Sequence, residues 1–346
     1  MTRQPIAPGS RPPSAAEVAR LAGVSRSAVS RTFTDGASVS RETRDRVLAA
    51  AEALNYHVNH LARGISKPES RPVCLIGATL AAPFHAALFD RLTQALQAAG
   101  RMVMVVNTGS DPADGRGAEQ ALEQALGYRA AATVVLSGTP PADLVRRCVA
   151  AGQRMILLNR AETLPGVCHL QTEDAPAMRD CVAMLQRAGV RRAALVTSAS
   201  GTAGLVRRTG HFLAEAAAAG LSVRLWQEGP TSYETGQRAG RELLGGADRP
   251  EGIFCANDLL AFGLLDVARV EFRLQIPRDL NVIGFDDVPQ AGWGAYDLTT
   301  FAQPFEALAE RIVAIIASEE PPPARPETLP PKLRWRSSVR PGTGGT

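Results

Sequence analysis

Two hydrophobic rhythms divide the chain. Between Ser14 and Leu54 apolar positions recur every three or four residues in short bursts. From Arg71 onward, compact runs of consecutive apolar residues alternate with longer helical stretches. In the first part, Val18, Leu21 and Ala22 fall on one helical face, and Gly23 stands where the chain has to turn. Val29 and Phe33 then restart an apolar face. Ser14, with Glu17 three residues on, has the spacing of a capping box, and Ser25 is placed to cap the second helix. A third helix is predicted from Ser40 through Leu54, with Val47, Ala50, Ala51 and Leu54 inward and Arg41, Arg44 and Arg46 toward water. The expected core of this unit is Val18, Leu21, Val29 and Phe33, joined by the inward stripe of the third helix. The second helix then carries Arg26, Ser27, Ser30 and Arg31 outward, the layout of a helix-turn-helix whose second helix is dressed for DNA. A small helical hairpin with a solvated polar face is the plainer reading of the same segment.

The second rhythm begins with VCLIGATL and continues through MVMVVN, ATVVLS, MILLN, AALVTS, GIFCA and NVIGF. Helical stretches lie between them, among them Phe84 to Ala99, Ala142 to Ala151 and Leu205 to Ala219. Strand–helix alternation with fully apolar strands implies parallel sheets covered on both faces. The units are too many for one comfortable sheet, so two Rossmann-like lobes with a cleft between them are expected. Ligands of such sheets bind at the carboxyl ends of strands. Those positions hold Asn159, Asn257–Asp258 and Asp286–Asp287, and Arg207 opens a long helix after AALVTSASGTAG.

Charge sharpens the division. Residues 1–71 hold eleven Lys/Arg against six Asp/Glu, whereas the rest hold 27 against 28. A basic face confined to the helical segment suits phosphate binding. No apolar run approaches the roughly 18 residues of a membrane span, and the proline-broken start MTRQPIAPGSRPPS lacks the apolar core of a secretory signal. The five cysteines are scattered with no CxxC pair, so neither disulfides nor a zinc site is expected, and a reduced, cytoplasmic setting fits. The five histidines show no metal-ligand spacing, and neither a nucleophile elbow nor a GxxxxGK[ST] loop occurs. Adjacent carboxylates such as Asp286–Asp287 usually point apart, which argues against paired-carboxylate catalysis. No enzyme, metal or cofactor is therefore expected.

The motifs VARLAGVSRSAVSR, VSRETRDRV, LNY, and Asn59 followed by LAR, in that order, resemble the LacI/GalR family of bacterial transcription regulators. The resemblance continues through RRTG, CANDLLAFG, VIGFDDVP and LTTFAQP, covering residues 14–340. It implies an all-α helix-turn-helix domain followed by an α/β, periplasmic-binding-protein-like body. The expected layout is a flexible arm over 1–13, the helix-turn-helix over 14–58, and a hinge helix and linker over 59–70. The two-lobed body then spans 71–340, one lobe from 71–170 and 301–330, the other from 171–300.

It also implies site residues. Arg26, Ser27 and Arg31 would read bases; Ser25, Ser30, Ser40, Tyr56 and Asn59 would hold phosphates. Ile65 takes the hinge position whose apolar side chain wedges into the minor groove, although an ordinary linker residue fits there too. Arg207, Asn257 and Asp286, with Asn159, are the implied contacts to a small effector: a sugar, polyol or sugar acid. Phe84 and Trp293, with Tyr233, could wall its ring. Asp258 is better suited to capping the next helix, and Asp287 to a solvated or structural role. Glu173–Asp174 departs from the family's Asp–Asn, and Val190 from a frequent histidine. The implied partners are double-stranded operator DNA, the effector and a second copy of the chain. The proline-broken tail SEEPPPARPETLPPKLRW offers no heptads for a tetramer. The competing reading is a solute-binding protein of sugar transport, which shares the two-lobed body but not the helix-turn-helix.

Overall fold

A computed structural model describes residues 11–34, 36–58, 71–109, 116–138 and 140–341. The chain divides into two compact units, Met1–Ser70 and Arg71–Thr346.

The first unit holds α1 (Ala15–Ala22), α2 (Arg26–Thr32) and α3 (Arg41–Ala53). Its caps are local. The Ser14 hydroxyl accepts from the Glu17 N–H, while the Glu17 carboxylate accepts from the Ser14 N–H at 2.6 Å. Ser25 and Ser40 cap α2 and α3 in the same way. Gly23 ends α1 at φ 63°, a left-handed turn that costs glycine nothing. The core comprises Val18, Ala19, Ala22, Val29, Val47, Ala50 and Ala51, with Phe33, Leu54 and Tyr56 partly buried against it.

Two expectations fail here. Leu21 is 55% exposed and Ala19 takes its place inside. At about 100° per residue, Val18, Ala22 and Ala19 share an arc from which Leu21 stands well aside. Nor do Arg44 and Arg46 simply face water. Arg44 donates to the Thr32 carbonyl at 3.0 Å, and Arg46 donates to the carbonyls of Ala22 (3.0 Å) and Gly23 (2.9 Å). Both guanidiniums therefore satisfy the open carbonyl ends of α1 and α2, where a cation also complements the helix dipole.

The second unit contains two parallel sheets. The first is built from β1 (Val73–Gly77), β2 (Val103–Asn107), β3 (Ala132–Val135), β4 (Arg154–Leu158), β5 (Val167–Thr172) and β11 (Glu327–Leu329), in the order β11-β5-β4-β3-β1-β2. Its helices are α4 (Pro83–Ala98), α5 (Arg116–Gly127), α6 (Ala142–Ala150) and α11 (Phe305–Ala317). The second sheet, ordered β7-β6-β8-β9, uses β6 (Arg192–Thr197), β7 (Ser222–Gln227), β8 (Gly252–Cys255) and β9 (Asn281–Ile283). It carries α7 (Asp174–Arg187), α8 (Ala203–Ala218), α9 (Tyr233–Leu244) and α10 (Asp258–Asp266), the last continuing into a π-helical turn at Val267–Glu271. β10 (Thr300–Ala302) pairs antiparallel with β12 (Lys332–Arg334).

Each sheet is sandwiched between apolar layers. Val73, Leu75, Leu92 and Ile312 fill one face of the first sheet, and Ile76, Leu122, Val145 and Leu157 the other. Val196, Leu243, Ile253 and Leu264 line one face of the second, and Leu185, Leu195, Phe212 and Phe254 the opposite one. The chain passes between the lobes after β5, between β10 and α11, and between β11 and β12. It returns to the second lobe, where Val339 is buried and the Ser338 hydroxyl donates to Val282 O at 2.6 Å.

All seven apolar runs form strands, but β2 is not covered on both faces. It is an edge strand on which Val105 is 45% exposed. β5, β7, β10, β11 and β12 were not foreseen. β5 interleaves His169 and Gln171 with its apolar residues, and β7 is an edge strand open on most of its length. The proline-broken tail supplies β11 and β12, because prolines at strand ends and edges cost no ladder bond. All five cysteines are buried free thiols. Among the described residues no helix is long and apolar enough to cross a membrane.

Candidate functional site

In the helical unit, Arg26, Ser27, Ser30 and Arg31 of α2 are all exposed. The Ser25 hydroxyl is engaged twice, by the Ala28 N–H at 3.2 Å and by the Ser27 hydroxyl at 2.8 Å. A groove of about 670 Å³ runs beside α2, lined by Arg26, Ser27, Ser30, Tyr56, His57 and Pro13. Tyr56 is fixed there by its ring against Phe33, centroids 5.9 Å apart. Ser40 lies at the start of α3, its hydroxyl donating to Thr43 Oγ1 at 2.9 Å while it caps. Asn59 and Ile65, and with them the hinge, lie outside the described residues. A short helix end presenting two guanidiniums and several hydroxyls around a groove can bind a phosphate backbone and base edges together.

In the two-lobed unit, one hydrogen-bonded chain joins three of the four predicted polar effector residues. Asn159, at the end of β4, accepts through Oδ1 from the Thr172 N–H (3.0 Å) and from Arg207 Nη2 (3.1 Å). Arg207 also reaches Asp174 Oδ2 at 3.4 Å. The Thr172 hydroxyl donates to Gln303 Oε1 at 2.9 Å, and Gln303 Nε2 donates to Asp286 Oδ1 at 3.1 Å. Residues of both lobes and two of the crossovers thus meet in one network. Phe84 sits beside it, partly buried against apolar clusters of both lobes and tilted against Phe305 at 5.5 Å.

Asp286 is buried and has φ 123°, outside the comfortable range of an L-residue, with Asp287 following at φ 54°. Such strain persists only where surrounding contacts over-determine it. Here the Asp286 N–H donates to Phe301 O at 2.9 Å, and Gln303 N–H donates to Asp286 O at 3.2 Å. Burial pushes the Asp286 carboxyl up to about 8, against the opposing pull of Arg208. Asp287 points elsewhere, pairing with Arg336 at 2.6 Å and Arg334 at 3.5 Å. The two neighbouring carboxylates therefore do point apart, and Asp287 is structural.

The capping role expected of Asp258 belongs to Asn257, whose Oδ1 accepts from the Leu260 N–H at 3.0 Å at the start of α10. Asp258 is instead wholly buried, accepting from the Thr300 hydroxyl at 2.6 Å and the Val288 N–H at 3.0 Å. Burial raises its carboxyl to about 6 despite those two bonds. Tyr233 is tied down as well, donating to Asp266 Oδ2 at 2.5 Å, and the bond helps push its hydroxyl up to about 12. Trp293 follows the 3-10 turn Pro289–Gly292 and is 55% exposed, so it is not packed between the lobes.

Sequence reasoning did not assign Thr172, Asp174, Arg208 or Gln303 to the site. Arg208 is buried, donating to Asp174 Oδ1 at 3.3 Å and Ala256 O at 2.6 Å, with its guanidinium 3.3 Å over the Phe285 ring. The signals were present. Arg208 stands inside the RRTG motif, Gln303 inside LTTFAQP, and Asp174 is the departure noted beside Glu173.

A helix-turn-helix unit preceding a two-lobed α/β body with a polar network between its lobes is the build of a ligand-sensing DNA-binding regulator. Residues 15–59 match the profile of bacterial regulatory proteins of the lacI family, and residues 182–339 that of the periplasmic binding protein-like domain. The chain is 30% identical over 332 residues to the HTH-type transcriptional regulator GalR of Escherichia coli K12, covering 93% of this chain and 94% of that one. Among solved structures, it shares its fold with the Lac repressor dimer bound to operator and the anti-inducer ONPF (TM-score 0.83, 21% identity, 95% of this chain and 99% of that one). It is also similar to the transcriptional regulator CelR in a cellobiose complex (TM-score 0.68, 26% identity, 94% of this chain and 99% of that one). The chain belongs to the LacI/GalR family of bacterial transcriptional regulators.

Proposed function

We propose that this regulator is a cytoplasmic, non-enzymatic repressor that binds a pseudo-palindromic operator as a homodimer and responds to a carbohydrate-like effector held between its lobes. The observation that carries the reading is the pairing of two surfaces on one chain. One is the exposed Arg26–Ser27–Arg31 face of α2. The other is the interlobe network joining Asn159, Arg207 and Asp286.

At the operator, Arg26, Ser27 and Arg31 read bases, and Ser25, Ser30, Ser40, Tyr56 and Asn59 hold phosphates. Ser25 does so with an oxygen already serving α2, so its contact is a shared one. Ile65 opens the central minor-groove step. In the cleft, Asn159, Arg207, Asn257 and Asp286 take hydroxyl groups, which both donate and accept. Phe84 and Trp293 offer apolar surface to the sugar ring. Effector binding shifts the lobes between two arrangements, and only one lets a pair of hinge segments meet on DNA. The Lac repressor's operator-bound dimer and the cellobiose complex of CelR support this reading by analogy. The regulators among the relatives favour it over solute transport.

Selection of bound sequences from random double-stranded DNA tests it. The expected outcome is enrichment of one pseudo-palindrome whose half-sites are about one helical turn apart. Recovery of unrelated sequences, or of an unpaired half-site, contradicts the dimeric operator reading.

A further inference from the structure

The charge around Asn159 does not balance. Arg207 and Arg208 share a single carboxylate, Asp174, at 3.4 and 3.3 Å. Arg207 spends Nη2 on Asn159 and Asp174, while its Nη1 is buried with no partner. Arg160 follows Asn159 at the same strand end, and its Nε and Nη2 are also buried and unpartnered. Burial pulls its guanidinium down to about 10, the mark of a charge without a counter-ion.

The other carboxylates of this region do not answer these cations. Asp287 is taken by Arg334 and Arg336, and Asp258 by Thr300 and the Val288 N–H. Asp286 bonds Gln303 and forms no ion pair, and with its carboxyl raised to about 8 it is mainly uncharged at neutral pH. Three guanidiniums thus stand against one ionised carboxylate. A buried donor or charge left unmatched is costly, and a bidentate oxyanion is the partner that suits guanidinium geometry best.

We infer that the effector is an anionic carbohydrate, a polyol bearing a carboxylate or a phosphate, whose anion is bound by Arg207 together with Arg160. The inference rests on the interlobe effector site proposed above. Asp286, Gln303 and Asn257 then face the hydroxyl-bearing end, where groups that both donate and accept are at an advantage. A neutral sugar leaves the guanidinium excess uncompensated; a sugar acid or sugar phosphate neutralises it.

Thermal-shift titration of the full-length protein tests this with matched probes: glucose, gluconate, glucuronate and glucose 6-phosphate, and the corresponding galactose series. The expected result is a rise in Tm with at least one acid or phosphate ester, and none with its neutral parent. A response to the acids alone identifies a carboxylate, and a response to the esters alone a phosphate. Arg160→Gln and, separately, Arg207→Gln should weaken the responding probe by at least about tenfold, as expected for losing a charge-assisted bond. The inference is overturned if a neutral sugar matches its acid, if no anionic probe shifts Tm, or if Arg160→Gln binds the anion unchanged. Asp286→Asn separates the two levels. A neutral sugar that binds the wild type and not this variant leaves the effector site standing and removes only the anion. An anion that binds wild type, Asp286→Asn and Arg207→Gln alike removes the site as well.

Discussion

Arg46 reads in the sequence as a solvated charge on the outer face of a helix, yet its guanidinium holds the carbonyls that end α1. Arg46→Ala should therefore destabilise the helical unit by about 1–3 kcal/mol, the range for stranding hydrogen-bond acceptors and losing a charged donor. Faster hydrogen exchange in α1 and α2 of the intact chain would register it, and unchanged protection would contradict it. Asp286 gives a second residue-scale test. Its carboxyl is raised from an ordinary 3.8 to about 8 in the folded protein. Between those values the folded state binds more protons than the unfolded one, so stability from this group falls as pH rises from about 4 to about 8. Asp286→Asn, which stays neutral, should show a smaller loss of Tm between pH 5.5 and pH 8.5 than the wild type. Equal losses would mean that Asp286 is ionised in the folded protein. What the sequence makes legible at this scale is local: the caps Ser14–Glu17, Ser25 and Ser40 act within three residues of themselves. The Arg208–Asp174 pair and the Thr172–Gln303 bond span 34 and 131 residues, and no spacing rule reaches that far.

At the scale of elements, apolar runs announce every central strand because burial on both faces demands unbroken hydrophobicity. Edge strands escape that demand. β7, with Arg224 in its middle, and the short β11 and β12 look like loops until a neighbouring strand supplies the ladder. Helix α1 shows the opposite limit. Over eight residues Leu21 and Ala19 both lie near an apolar face, and only the packing of α3 chooses between them. The tightest junction in the body is the α9–α10 pair, whose backbones meet at two glycines. A Cβ on Gly263 would come within 2.0 Å of Tyr233 O, and one on Gly236 within 2.1 Å of Leu260 O. Backbone cannot yield as a side-chain tip does. Gly263→Ala should cost about 1–3 kcal/mol or more by overpacking, seen as a lower midpoint in urea. A midpoint equal to wild type would mean that the helices separate without penalty. The same junction positions Asn257 at the start of α10, so effector binding should weaken with it.

For the whole molecule, the order of units was legible from a change of hydrophobic period at Arg71 and from a basic excess confined to the first 71 residues. The polar network between the lobes was legible only as separate strand-end residues, because crossovers brought them together through Thr172 and Gln303. Two functions divide between the two units, so substitutions should divide as well. Asp286→Ala should remove the response to effector and leave DNA affinity intact, and a variant that still responds fully would move the effector site elsewhere.

The DNA side is measured by fluorescence anisotropy of wild type and Arg31→Ala on the selected operator and on a scrambled duplex, at matched salt. Losing one arginine–base contact in each half-site should cut the ratio of specific to non-specific affinity by roughly 5- to 150-fold per half-site, while binding to the scrambled duplex falls only slightly. An unchanged ratio would mean that α2 does not read the operator, and the account of this chain as a sequence-specific regulator acting through that helix would fail.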